Sequence, residues 1–72
     1  MKWKNVESSN VESVAHYEQD LYIKFKGGST YRYFEVPREV YKSLLKAESV
    51  GKYIAENVKS KYTVEKISED IT

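Results

Sequence analysis

Between Leu21 and Phe25 apolar and polar residues alternate singly, with Leu21, Ile23 and Phe25 on one side and Tyr22 and Lys24 on the other. That period of two marks a half-buried strand. After Gly27-Gly28, the run from Ser29 to Glu35 reads as its hairpin partner. Val36 precedes a proline and is pushed toward extended geometry, whereas Pro37, with its preset φ, suits the opening turn of a helix. Upstream, Ser8-Ser9-Asn10 is a turn cluster, Val11 to Tyr17 reads as a first strand, and Gln19-Asp20 turns the chain. The pattern predicts strands over 11–17, 20–26 and 29–35.

From Pro37 the period changes. Over residues 37–47, Val40, Leu44 and Ala47 share one side with Tyr41 and Leu45 flanking, while Arg38, Lys42 and Lys46 recur every four residues opposite. This is an amphipathic helix. Ser49 is a good N-cap for a second helix over residues 50–59, with Val50, Tyr53, Ile54 and Val58 as its apolar set. Gly51 in its first turn costs helix propensity, which points to a close backbone approach there. Tyr62, Val64 and Ile67 read as a packed coda. The expected fold is α+β: a three-stranded antiparallel meander with two helices on one face. Its expected core is Leu21, Ile23, Phe25, Val40, Leu44, Tyr53, Ile54 and Val58.

The turn decides which rings meet the helices, because a one-residue slip exchanges the faces of a strand. A two-residue Gly27-Gly28 loop pairs Lys26 with Ser29 and Tyr22 with Tyr33, leaving Tyr31 and Tyr33 on the face opposite Leu21, Ile23 and Phe25. A three-residue loop, Lys26 to Gly28 with Gly28 left-handed, pairs Phe25 with Ser29, Ile23 with Tyr31 and Leu21 with Tyr33. The second register is favoured, since it keeps Arg32 off the hydrophobic side. In it, Tyr22, Lys24, Arg32 and Phe34 share the outer face.

Seventy-two residues make one domain, and a chain of this length buries only about 60% of its unfolded surface. It has no cysteine, so neither a disulfide nor a thiolate–metal site can staple it. Seven tyrosines supply large buried area while keeping a hydroxyl for the rim. No apolar run approaches the roughly 20 residues of a membrane span, and Met1-Lys2-Trp3-Lys4-Asn5 lacks the apolar stretch of a secretion signal. With no N-x-S/T acceptor either, a cytoplasmic bacterial or phage protein is the plainest expectation. The net charge of +1 is unevenly spread. Residues 1–23 set Lys2 and Lys4 against Glu7, Glu12, Glu18 and Asp20. Residues 24–61 hold the basic excess, and residues 62–72 are again acidic. Such an excess on the hairpin and helices can attract a polyanion.

Candidate chemistry is confined to binding. His16 is the only histidine, with no cysteine and no clustered carboxylate beside it, so neither a metal site nor a catalytic triad is expected. Gly27-Gly28-Ser29-Thr30 sits in a hairpin, not in the strand-to-helix turn of a phosphate loop. No cofactor and no enzymatic activity are expected. Tyr31 and Tyr33 could stack bases as rings on open sheets do, or they are core rings whose hydroxyls reach the edge, as the favoured register implies. The outer-face set of Tyr22, Lys24, Arg32 and Phe34 interleaves rings for bases with cations for phosphates. Its blander reading pairs the rings across the strands or under the segment near Trp3. Arg38, Lys42 and Lys46 could track a phosphate backbone, or they are the solvated side of a helix.

In order and spacing, Ser8-Ser9-Asn10-Val11, the Leu21/Ile23/Phe25 strand, Gly28, Tyr31-Arg32-Tyr33-Phe34, Val36-Pro37, Val40-Tyr41, Leu44 and Ser49-x-Gly51-Lys52-Tyr53 resemble the KTSC family. That family is named for a short domain at the C-terminus of some lysyl-tRNA synthetases and also occurs as small stand-alone bacterial and phage proteins. The resemblance covers about residues 5–64, with Tyr31 and Tyr33 matching the family's Tyr-x-Tyr hallmark. Where many members have Gly-Tyr-Asp, this chain has Ala15-His16-Tyr17. It implies one domain over 1–72 with a core of about 5–64 and a frayed tail over 65–72. It further implies a small binding module, with single-stranded RNA or tRNA as the partner suggested by the synthetase fusion. The alternative is a protein-interaction or regulatory module that docks by its hairpin or a strand edge. The expected contact set is Tyr22, Lys24, Arg32, Phe34, Arg38 and Lys42.

Overall fold

The computed structural model describes residues 2–67. Five antiparallel strands form one sheet in chain order: β1 Lys4–Asn5, β2 Val11–Tyr17, β3 Asp20–Phe25, β4 Thr30–Tyr33 and β5 Val64–Ile67. Two helices, α1 Arg38–Lys46 and α2 Val50–Asn57, intervene between β4 and β5. The expected meander is therefore the middle of a larger sheet, and the three-strand expectation is corrected to five. The two missed strands carry little burial signal. Both residues of β1 are exposed, and in β5 the apolar Val64 and Ile67 lie three apart, on opposite faces. Backbone pairing at the sheet edges makes these strands. Residues 65–67, expected to fray, belong to β5; the same expectation for residues 68–72 lies outside the described residues.

The hairpin register is the favoured one. Leu21 faces Tyr33, Ile23 faces Tyr31, and the Phe25 backbone N–H donates to the Ser29 carbonyl at 2.8 Å. Gly28 takes φ 101° and donates its N–H to the Phe25 carbonyl at 3.0 Å. A Cβ there would meet nothing within 4 Å, so the demand for glycine is one of backbone angle, not of space.

Strand β2 shows how an irregular pattern becomes a regular face. Val11 and Val14 are three apart, yet they pair with Phe25 and Ile23, which share the inner face. The register shifts between Val11 and Ser13, so a bulge at Glu12 turns both valines inward. Both are fully buried.

The inner-face residues Val11, Val14, Leu21, Ile23 and Tyr33 form one cluster with Val36, Tyr41, Leu44, Val50, Ile54 and Val58, so both helices cover that face. Five of the eight expected core residues are fully buried, while Phe25, Val40 and Tyr53 pack half-buried at its margin. Helix α1 presents Tyr41 and Leu44 most deeply, slightly rotated from the expected side. Pro37 stands just before the helix with ψ 148°, Glu39 lies in the first turn and Lys46 in the last, both favourable to the helix dipole. Ser49 caps α2, its hydroxyl accepting from the Lys52 N–H at 3.3 Å. Gly51 does not serve a close approach: a Cβ there would sit 3.7 Å from Ser8 Oγ, an ordinary contact.

Two glycines thus make opposite predictions. Gly28→Val should destabilise by about 1–3 kcal/mol because φ 101° excludes a branched side chain. Gly51→Ala should instead stabilise by up to about 1 kcal/mol through helix propensity. Urea unfolding of the two variants checks both signs. Leu44→Ala, emptying a site at 0% exposure, should cost about 2–5 kcal/mol in the same assay.

Candidate binding face

Among the described residues no helix packs on the sheet face opposite α1 and α2, where Tyr22, Lys24, Arg32 and Phe34 are half-buried. Alternation along β3 and β4 brings Tyr22, Lys24 and Arg32 to it, with Tyr22 and Arg32 directly opposite each other. Strand β1, pairing Lys4 with Val14, adds Trp3, whose ring meets Tyr22 edge-on at 6.4 Å. Lys24 Nζ lies 5.0 Å from the Trp3 ring centroid. The Arg32 guanidinium lies 5.9 Å from the Tyr22 centroid and 4.6 Å from that of Phe34. The contacts therefore run across the strands as Lys24, Trp3, Tyr22, Arg32, Phe34, with two rings between the cations and one beyond Arg32. Cation–ring attraction holds each cation over its neighbour. Ser13 and Ala15, paired with Lys24 and Tyr22, are buried on this face too.

Asp20 fastens one end of this ladder. Its Oδ2 accepts from Arg32 Nε at 2.9 Å and lies 2.7 Å from Arg32 Nη2, while Oδ1 accepts from the Glu35 N–H at 3.0 Å. The Glu35 N–H is the largest cause holding the Asp20 carboxyl below its usual 3.8, with Arg32 adding to it against the cost of burial. The same pair holds the Arg32 guanidinium above its ordinary value. Around this corner Glu18 and Glu35 take left-handed backbone, φ 58° and 54°. The Val36 N–H donates to the Gln19 carbonyl at 2.8 Å, and His16 Nε2 donates to the Val36 carbonyl at 2.7 Å. The end of β4 is thereby tied to the β2–β3 turn just before Pro37 starts the helices.

The six expected contact residues do not form one surface. Tyr22, Lys24, Arg32 and Phe34 come together on the open face, whereas Arg38 and Lys42 are exposed on α1, in the layer behind the sheet. Tyr31 and Tyr33 lie on the helix side. Tyr33 is buried, and burial raises its hydroxyl pKa, with Tyr31 adding a smaller push. Tyr31 is half-buried and packs edge-on to Phe25 at 5.6 Å. Sequence reasoning named Trp3 only as a neighbour and left Asp20 as a turn residue. An isolated tryptophan between lysines has no periodicity to place it, and Asp20 carries the ordinary signature of a turn former.

A five-stranded antiparallel sheet backed by a helix pair on one face and carrying rings and cations on the other defines a small α+β domain. The KTSC domain profile matches residues 7–62. The chain belongs to the KTSC family. It is 46% identical over 59 residues to a protein from Tsukamurella paurometabola, covering 79% of this chain and 88% of that one. It is 38% identical over 55 residues to an uncharacterised protein from Stutzerimonas stutzeri, covering 74% and 78%. The crystal structure of a KTSC domain protein from Yersinia pestis superposes with a TM-score of 0.87 at 28% identity, over 93% of this chain and 97% of that one. Among the described residues no helix is long and apolar enough to cross a membrane.

The Asp20 clamp makes a pH prediction. A carboxyl whose folded pKa is depressed contributes stability that is present above its unfolded pKa and is lost as pH falls through the folded value. The wild-type chain should therefore weaken below about pH 4. Asp20→Asn should lower stability at neutral pH by about 0.5–1.5 kcal/mol and flatten that acid limb, as read by urea unfolding between neutral and acid pH.

Proposed function

We propose that this chain is a non-enzymatic binding module that takes single-stranded RNA, or an unpaired stretch of a tRNA, on its open sheet face. The observation that carries the reading is the ladder itself: three rings, Trp3, Tyr22 and Phe34, in contact with Lys24 and Arg32 on the face the helices leave free. Bases stack on such rings and phosphates meet the cations. The two cations have different roles. Arg32 is already neutralised by Asp20 and stacks against Tyr22 and Phe34, so it orders the platform. Among the described residues Lys24 has only Trp3 as its partner, and it is the phosphate contact. His16, the only histidine, spends Nε2 on a backbone carbonyl, which supports a binding role over acid–base chemistry. We infer a cytoplasmic setting from the cysteine-free composition.

Anisotropy titration of labelled single-stranded RNA at low salt tests this reading, with quenching of the single tryptophan as a second signal. Trp3→Ala should cost about 1–3 kcal/mol of binding. Lys24→Gln should reduce the salt slope by about one, and Arg32→Gln should reduce it less. No binding at high-micromolar protein in about 50 mM salt would remove the proposal. A second reading rests on β5, which ends the sheet with Val64, Glu65 and Lys66 exposed. A partner polypeptide could add a strand there, and its binding would tolerate salt.

A further inference from the structure

A separate feature lies at the other edge of the sheet, where β1, the end of β2 and the start of α1 converge. Lys2, Lys4 and Arg38 line one recess of about 490 Å³, and no carboxylate of the described residues lines it. Lys4 faces the helix side, because its partner Val14 points into the core. Among the described residues the only ion pair is Arg32–Asp20, so none of these three cations is in a salt bridge with them, although Arg38 also borders a neighbouring recess lined by Glu18 and Glu35. Three like charges brought to one concavity repel one another, and a bound anion reverses the sign of that energy.

The rest of the lining is aromatic. Tyr17 is 49% exposed and Trp3 37%, giving open ring faces at the rim, whereas Tyr41 is buried and stacks on His16 at 5.5 Å. His16 also borders the recess. A carbonyl oxygen only accepts, so the bond to Val36 puts a proton on Nε2. Nδ1 is the one buried side-chain polar atom among the described residues with no protein partner.

We propose that this recess binds the phosphate group of a nucleotide, with Lys2, Lys4 and Arg38 holding the phosphate and Tyr17 offering its ring to the base. Cations without carboxylates select an anion. Arg38 brings the planar fork that suits phosphate oxygens, and the lysines act as point charges. The volume lies in the range of small-molecule sites. The site shares Trp3 with the open-face ladder, but its cations are Lys2, Lys4 and Arg38 and not Lys24 or Arg32. The phosphate can come from a free nucleotide or from the end of a strand.

The test is amide NMR of the full chain titrated with AMP, adenosine and short 5′-phosphorylated or 5′-hydroxyl RNA. AMP should bind at least about tenfold tighter than adenosine, shifting amides at Lys4, Tyr17 and Arg38. The Lys4→Gln/Arg38→Gln variant should lose about tenfold or more of that affinity, while Lys24→Gln, on the open face, should keep it. A 5′-phosphorylated strand outbinding its hydroxyl form assigns the phosphate to a strand end, and AMP binding without that difference assigns it to a free nucleotide. Either result supports the site. Equal binding of AMP and adenosine, AMP shifts centred on Tyr22 and Lys24, or no shift at about 10 mM AMP would overturn it. The amide spectrum of each variant reports whether it is folded, and the single substitutions Lys4→Gln and Arg38→Gln, both at exposed positions, carry the test if the double variant is not.

Discussion

The carboxylate of Asp20 accepts from Arg32 on β4 and from the Glu35 N–H beyond it, from its own place at the start of β3. Three parts of the molecule depend on that arrangement. The chain leaves β4 along a fixed path, with Glu35 held in left-handed backbone, and enters α1 at Pro37 in position to lay Tyr41 and Leu44 on the sheet. The Arg32 guanidinium is drawn into one plane of contact with Tyr22 and Phe34. The β2–β3 turn is tied to the chain at Val36, through the Gln19 carbonyl and His16. A small domain without disulfides has few means of fixing the join between its two layers, and here a charge-assisted network at one corner supplies it.

The fold and the ladder meet in the same strands. The residues that place Leu21, Ile23 and Tyr33 under the helices necessarily send Tyr22, Lys24 and Arg32 outward, because side chains alternate along a strand. The left-handed turn at Gly28 therefore sets the composition of the open face as much as it sets the core. A slip of one residue would bury Arg32 and expose the Tyr31/Tyr33 pair.

How much of this could be read from the chain differs by element. The β3–β4 hairpin, its register, both helices and the Ser49 cap follow from local rules: period two, a glycine that must go left-handed, a proline before a helix, a serine at a cap. Strands β1 and β5 do not, because their existence is decided by a neighbour's unpaired backbone and not by their own apolar positions. Val11 and Val14 could be assigned to the core only by knowing that Glu12 bulges. On the binding face, Tyr22, Lys24, Arg32 and Phe34 were legible from alternation, whereas Trp3 came with β1 and was lost with it. Arg38 and Lys42 were grouped with them on charge alone, and charge says nothing about which layer a residue occupies.

The order of the strands has a consequence for how the chain assembles. Strands β2, β3 and β4 follow one another through short turns and can zip from neighbour to neighbour. Strand β5 reaches Thr30 to Tyr33 only after the chain has passed through both helices. Closing that loop costs entropy before any bond returns it, a cost that packing of α1 and α2 lowers by bringing the ends together. In the folded chain the last strand is a latch, joining the far side of the helix pair back to the edge of the meander.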